Sequence, residues 1–180
     1  SIRFVAEQDS LNASILGPDA APGTPEFDLF VKEVHREMTT KAGQKCTAIR
    51  RIFAPQSHVD AVIEALSARL SKTVIGDPQA EGTRMGALVS NSQKRDVLEK
   101  ARIIGTEAER VYGDPDSFDV QGADGAKGAF LPPMLFHCAA PDTAERIHDT
   151  EAFGPVSTVM GYSDLDHAIE LVNKGAGSLV

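Results

Sequence analysis

Amphipathic helix patterns alternate with short apolar runs along this 180-residue chain, and this alternation limits the folds that it can adopt. The helix patterns cover residues 25–41 and 58–73, a segment that begins at Ser90, and another that follows Ser163. Strand-like runs lie at 12–16, 49–54, 129–138 and 156–161, and a last one begins at Ser178. Such alternation predicts an α/β domain with a largely parallel sheet flanked by helices. Reactive side chains in these sheets collect where the strands end.

Local signals mark the ends of the predicted helices. Thr24 is suited to cap the first helix, and Gly43 supplies its stop. Ser57 is the predicted cap of the second helix. Ser90 and Gln93 have the spacing of a capping box at the third helix, which explains Gln93 without a functional role.

Two further predictions concern the second half of the chain. The pattern of the fourth helix places Leu165, Ile169 and Val172 on one side of it. The stretch 113–128 is rich in Gly, Asp and Pro and is predicted to be a long surface loop. The start of the chain is abrupt and its end resembles the opening of a strand. We therefore expect a domain that is truncated at both ends.

Charge and composition exclude several classes of function. The net charge is −8, which disfavours nucleic-acid and membrane partners because both require a basic face. No apolar run approaches the ~20 residues of a membrane span. Cys46 and Cys138 are too few for a disulfide scaffold, so a reducing, cytoplasmic setting is expected. The five histidines show no metal-ligand spacing, and no metal is predicted.

One cysteine occupies a position suited to a reactive thiol. Cys46 lies in Gly43-Gln44-Lys45-Cys46-Thr47, between an amphipathic helix and an apolar run. Nearby lysines and arginines would favour the thiolate, and backbone N–H groups of the loop could stabilise an oxyanion. The alternative is that Cys46 is a small buried hydrophobic residue. The local sequence leaves both interpretations open.

Three segments together resemble the aldehyde dehydrogenase superfamily. Gly43-Gln44-Lys45-Cys46 is similar to the Gly-Gln-x-Cys motif of its nucleophile, and Glu7 lies upstream where the family carries its general base. Glu151-Ala152-Phe153-Gly154-Pro155 matches the family's Glu-x-Phe-Gly-Pro motif, whose Glu and Phe hold the nicotinamide riboside of NAD or NADP. The resemblance implies that the chain is the thiol-bearing catalytic domain, without the nucleotide-binding domain and the oligomerisation segment.

The resemblance also implies a reaction. Cys46 would attack an aldehyde to form a thiohemiacetal, hydride transfer to NAD(P) would give a thioester, and Glu7 would activate the water that hydrolyses it. Glu151 and Phe153 would bind the cofactor. Many family members have an Asn oxyanion donor where this chain has Lys41. This fragment alone is expected to be inactive, and the intact protein is expected to be a homo-oligomer.

Departures from the common motifs point to one branch of the superfamily. Glu7 is followed by Gln8-Asp9-Ser10 instead of Leu-Gly-Gly, which resembles the dehydrogenase half of the bifunctional ring-opening enzymes of phenylacetate degradation. That branch implies a CoA-thioester semialdehyde as the substrate. Two alternatives remain: a cofactor-independent cysteine hydrolase or acyltransferase, and a non-catalytic interaction domain.

Overall fold

Five strands form one sheet in the part of the chain that the computed structural model describes, which is residue 3 and residues 10–180. The strands are β1 (Ala13–Ile15), β2 (Arg51–Pro55), β3 (Glu109–Tyr112), β4 (Met134–Cys138) and β5 (Val156–Tyr162). Their spatial order is β1-β2-β5-β4-β3. All neighbouring pairs are parallel except β3 with β4. The predicted α/β class with a largely parallel sheet is confirmed.

Helices cover both faces of this sheet. They are α1 (Pro25–Thr39), α2 (Val59–Leu70), α3 (Asn91–Ile104), α4 (Arg146–Asp149) and α5 (Leu165–Asn173). Ile52 of β2 packs with the buried faces of α1 and α2, whereas its neighbour Phe53 packs with the residues of α3, α4 and α5. Each buried aliphatic or aromatic side chain stabilises the fold by about 1.5–3 kcal/mol. The period-2 alternation of β2 therefore supplies one side chain to each of two cores.

The helix ends agree with the sequence prediction in part. Thr24 Oγ1 accepts a hydrogen bond from the Phe27 N–H at 3.3 Å, and Ser90 Oγ accepts one from the Gln93 N–H at 3.2 Å. The prediction that Ser57 caps the second helix is wrong. A 3₁₀ turn at Gln56–His58 leads into α2 instead, and its cap makes no side-chain hydrogen bond.

The apolar side predicted for the fourth helix is not the side that is most deeply buried. Leu165 and Ile169 of α5 are 51% and 54% exposed, while Ala168 and Leu171 are fully buried. The buried Arg51 guanidinium donates to the carbonyl oxygens of Leu171 and Val172 and so fixes the end of the helix. A tertiary contact, which leaves no trace in the local pattern, therefore sets the rotation of α5.

Three further differences concern the strands. β3 escaped prediction because its residues are exposed or half-buried, as in a charged edge strand. The strand predicted at 129–138 is shorter in the structure and comprises only β4. Two prolines directly precede β4, and they cannot donate hydrogen bonds to a neighbouring strand. Residues 178–180 form no strand. The predicted loop at 113–128 is confirmed, with a single isolated bridge between Gly76 and Gln121. No helix among the described residues is long and apolar enough to cross a membrane.

Candidate active site

Cys46 lies on a turn between strand β2 and the segment Thr40–Gly43, whose middle residues have left-handed backbone angles. Its side chain is exposed, so the alternative of a small buried hydrophobic residue does not describe it. Cys138, by contrast, is buried in β4, and burial raises the pKa of its thiol. Of the two cysteines, only Cys46 is accessible to a substrate.

The backbone immediately before this turn is strained. Lys41 and Ala42 both adopt φ of 53°, and Gly43 follows with φ of 68°. The left-handed region costs a residue with a side chain about 1–2 kcal/mol. Two such residues in succession persist only where the surroundings impose the conformation, which is common at functional sites. Lys41 is therefore held in an unusual backbone conformation.

Gly43 brings the cysteine turn against the Glu-x-Phe-Gly-Pro segment. A Cβ atom at Gly43 would lie 2.2 Å from the carbonyl oxygen of Gly154. No side chain fits at this distance, so the two backbones meet directly. Two motifs that are far apart in the sequence thus become neighbours.

Arg50 connects the same two segments through its buried guanidinium group. On the cysteine turn, it donates to the carbonyl oxygens of Gly43 and Lys45 at 2.9 and 3.4 Å. On the other segment, it donates to the Gly154 carbonyl at 2.7 Å and to Glu151 Oε1 at 3.4 Å. The guanidinium carbon also lies 5.3 Å from the centre of the Phe153 ring. Sequence reasoning treated Arg50 only as a nearby positive charge.

Glu151 and Phe153 are held on the far side of this contact. The Glu151 side chain is only 7% exposed and also accepts a hydrogen bond from the Ser10 N–H at 3.0 Å. Phe153 is half-buried, with part of its surface free to pack on a ligand. A carboxylate and an aromatic ring beside an exposed thiol can hold ribose hydroxyls and a nicotinamide ring.

Asn12 is a site residue that sequence reasoning missed. Its fully buried amide donates to the carbonyl oxygens of Cys46 and Ala48 at 2.7 and 3.0 Å. Its Oδ1 atom accepts hydrogen bonds from the backbone N–H groups of Leu179 and Val180, each at 3.0 Å. A polar residue inside a strand-like run is the signal that could have drawn attention to it. Asn12 fixes the carbonyl of the cysteine itself.

Two further side chains anchor the turn to neighbouring helices. Gln44 Oε1 accepts from the Val89 N–H at 2.8 Å, and the Gln44 amide faces Gln93 Oε1 at 3.5 Å. Lys45 forms an ion pair with Glu37 of α1 at 2.6 Å. Of the predicted capping box, the Ser90 half is confirmed, because Ser90 Oγ accepts from the Gln93 N–H. The Gln93 side chain contacts the Gly-Gln motif and does not complete the box.

The other predictions for the site concern Glu7 and metals. Glu7 lies outside the described residues, and its role as general base stays a prediction. No group of three or more metal-ligating side chains occurs among the residues that the structure describes.

Comparisons with known proteins agree on one family. A sequence model described as "Aldehyde dehydrogenase family" matches residues 2–179. A 3,4-dehydroadipyl-CoA semialdehyde dehydrogenase from Aromatoleum evansii is 47% identical over 180 residues, which are 100% of this chain and 35% of that protein. The chain thus spans about a third of the length of the curated relatives that it matches.

Solved structures give the same picture. A betaine aldehyde dehydrogenase from Staphylococcus aureus in complex with NAD+ superposes with a TM-score of 0.79 at 28% identity, over 92% of this chain and 31% of that one. A mutant of aldehyde dehydrogenase C from Pseudomonas syringae, in complex with NAD+ and octanal, gives a TM-score of 0.75 at 28% identity, over 92% and 32% of the two chains.

Proposed function

The chain belongs to the aldehyde dehydrogenase family, and on this premise we propose that it is the thiol-bearing catalytic domain of an NAD(P)-dependent aldehyde dehydrogenase. One observation carries the proposal. The exposed Cys46 and the buried Glu151 lie on two segments that meet at the backbone contact of Gly43 with Gly154. A nucleophile beside a cofactor-binding carboxylate is what this oxidation requires.

Each residue has a defined role in the proposed reaction. The Cys46 thiolate forms a bond to the aldehyde carbon, and its backbone N–H donates to the resulting oxyanion. NAD(P), held by Glu151 and Phe153, would supply the hydride acceptor, and loss of hydride from this carbon would convert the thiohemiacetal into a thioester. Glu7 then takes a proton from water, which attacks the thioester and releases a carboxylic acid and the thiol. Glu151 accepts hydrogen bonds from the ribose hydroxyls, and Phe153 packs against the nicotinamide ring.

The proposed substrate is a semialdehyde linked to coenzyme A. The relative from Aromatoleum evansii, which matches the whole chain, is named for such a substrate. The residues after Glu7 resemble the branch that acts in phenylacetate degradation. A cytoplasmic reaction is part of this proposal because two unpaired cysteines suit a reducing compartment.

We further propose that the 180 residues need a separate nucleotide-binding domain for turnover, and that the intact protein is a homo-oligomer. The glycine-rich stretch 122–128 is a loop and no helix follows it directly, unlike the strand–turn–helix of a dinucleotide site. We expect isothermal calorimetry to detect weak or no binding of NAD or NADP to this chain alone. Saturable binding at micromolar concentration would contradict this part of the proposal.

Kinetics of the whole protein that carries this sequence test the chemical roles. Cys46→Ala should abolish aldehyde oxidation, whereas the matched variant Cys138→Ala should retain it. Glu7→Gln should slow steady-state turnover by about 10²–10⁴-fold but preserve a first burst of NAD(P)H, because hydride transfer precedes hydrolysis. Activity in Cys46→Ala would overturn the proposal. Thioester hydrolysis that needs no nucleotide would favour a cysteine hydrolase instead.

A further inference from the structure

We propose that Arg50 is a positioning residue that orients the Glu151 carboxylate for the cofactor and locks the Cys46 turn beside it. The inference rests on the proposed function, since it assigns Glu151 to the ribose. Arg50 follows the buried Ile49 and directly precedes β2. Its backbone N–H donates to the Asn12 carbonyl, and its carbonyl accepts from the Thr158 N–H, so its position is fixed at the start of the strand. From there its side chain reaches both motif segments at once.

The fork of the guanidinium group explains why an arginine occupies this position. Nε donates to Glu151, Nη1 donates to Gly154, and Nη2 donates to both Gly43 and Lys45. Four donor directions are thus used, and they diverge toward two different segments. A lysine carries its three donors on one atom and cannot span the same set. Arg50 holds the two segments in one relative geometry.

Both members of this ion pair are buried. The side chains of Arg50 and Glu151 are only 4% and 7% exposed. Burial lowers the pKa of Arg50 and the attraction of Glu151 raises it, which are the opposing effects expected for a buried ion pair. Removing one member of such a pair leaves an uncompensated charge, so the Glu151 carboxylate would move toward solvent without Arg50.

The pairing leaves Glu151 able to bind a ligand. Arg50 approaches Oε1, and the Ser10 N–H approaches Oε2. Each carboxylate oxygen can accept about two hydrogen bonds, so both retain a free position. Two free acceptor positions suit the two neighbouring hydroxyls of a ribose. Arg50 fixes the carboxylate without consuming its binding capacity.

Arg51 provides the matched control for Arg50. Its guanidinium is also buried, but it donates to the carbonyl oxygens of Leu11, Leu171 and Val172. It contacts neither the cysteine turn nor Glu151. Arg51→Lys should therefore lower stability without changing cofactor recognition, which separates positioning from general structural support.

A double-mutant cycle in the whole protein tests the inference. We expect Arg50→Lys to raise the KM for NAD(P) about tenfold and Glu151→Gln to raise it at least as much. In the Glu151→Gln background, Arg50→Lys should change this KM by less than about twofold, because its effect is transmitted through the carboxylate. Arg51→Lys should leave the KM unchanged. Fully additive effects of Arg50→Lys and Glu151→Gln would overturn the inference.

A measurement on the unmodified protein covers the case in which Arg50→Lys does not fold. With ¹⁵N-labelled arginine, the Nε–H resonance of Arg50 should shift on addition of NAD(P), while that of Arg51 stays in place. If the chemical shift of the Arg50 Nε–H does not change at a saturating concentration of NAD(P), the inference is overturned. If the unmodified protein oxidises no aldehyde, the proposed function itself is refuted. If the protein is active and Glu151→Gln raises the KM for NAD(P) but Arg50→Lys does not, only the role of Arg50 is refuted.

Discussion

Gly43 combines two requirements that no residue with a side chain meets. Its φ of 68° lies in the left-handed region, and a Cβ atom would collide with the backbone of Gly154 at 2.2 Å. The first requirement concerns the chain locally, and the second concerns the contact between the two motif segments. Replacing Gly43 therefore tests whether the candidate site depends on that contact.

We expect Gly43→Ala to destabilise the chain more than Gly23→Ala. Gly23 also has a positive φ, of 90°, but a Cβ there meets nothing within 4 Å. Gly23→Ala should cost only the backbone term of about 1 kcal/mol. Gly43→Ala should cost a further 1–3 kcal/mol, roughly the penalty for overpacking. Urea unfolding of both variants measures the difference, and equal losses would contradict the close backbone contact.

The two cysteines should differ in their reactivity toward alkylating reagents. Cys46 is exposed, whereas Cys138 is buried and its burial raises the pKa of the thiol, which lowers the thiolate fraction. Brief treatment of the folded chain with iodoacetamide, followed by mass mapping, should find Cys46 labelled first. In urea, where both thiols are free, the preference should disappear. Faster labelling of Cys138 in the folded chain would count against Cys46 as the nucleophile.

Motif spacing names the candidate site residues but not the residues that support them. Cys46, Glu151 and Phe153 stand in segments whose local sequence resembles known motifs, so they could be named before the structure. Arg50 and Asn12 could not, because their roles depend on carbonyl oxygens that approach only after folding. Hydrogen bonds between segments that are distant in the chain produce no periodic pattern in the sequence, so they cannot be predicted from it.

At the scale of the elements, α5 presents two leucines in opposite environments. Leu171 is fully buried against the sheet, whereas Leu165 is 51% exposed. Leu171→Ala should lower the free energy of unfolding by about 2–5 kcal/mol because it leaves a cavity. Leu165→Ala should change it by no more than about 0.5 kcal/mol. Chemical denaturation measures both changes in the free energy of unfolding. A larger decrease for Leu165→Ala would mean that Leu165, and not Leu171, lies on the buried side of α5.

Prediction succeeded for elements with strong local patterns and failed for those held by tertiary contacts. α1, α2 and α3 carry apolar stripes, and each appears where the pattern placed it. α4 has only four residues, and no local sequence pattern predicts it. Instead the Glu107 carboxylate accepts hydrogen bonds from the N–H groups of Arg146 and Ile147, at 2.7 and 3.3 Å. A carboxylate from outside the helix stabilises these free donors at its start.

At the scale of the whole molecule, the buried Arg51 joins three parts of the fold. It donates to the Leu11 carbonyl before β1 and to carbonyl oxygens at the end of α5, and it lies 3.2 Å from Nδ1 of His148 in α4. Nε2 of His148 faces the Pro141 carbonyl at 3.1 Å and must therefore donate to it. Nδ1 then accepts from Arg51, and this arrangement requires neutral His148.

Stability of the whole chain should consequently fall in mild acid. Burial is the largest effect on His148 and lowers its pKa, and the nearby charges of Arg51 and Lys174 lower it further. The hydrogen bond to the Pro141 carbonyl and the charge of Glu107 oppose this shift without reversing it. The unfolded chain, where the pKa is about 6.5, then binds the proton more readily than the folded one. The stabilisation is complete above about pH 6.5 and is lost as the pH falls through the folded pKa. Burial lowers the pKa of His35 in the same direction.

Urea unfolding between pH 8 and pH 5 measures this dependence. The midpoint should fall with the pH below about 6.5, and His148→Gln should make the decline shallower because one linked proton is removed. The remaining slope should include the contribution of His35. An identical slope in His148→Gln and in the unmodified chain would show that protonation of His148 does not open the Arg51 contacts.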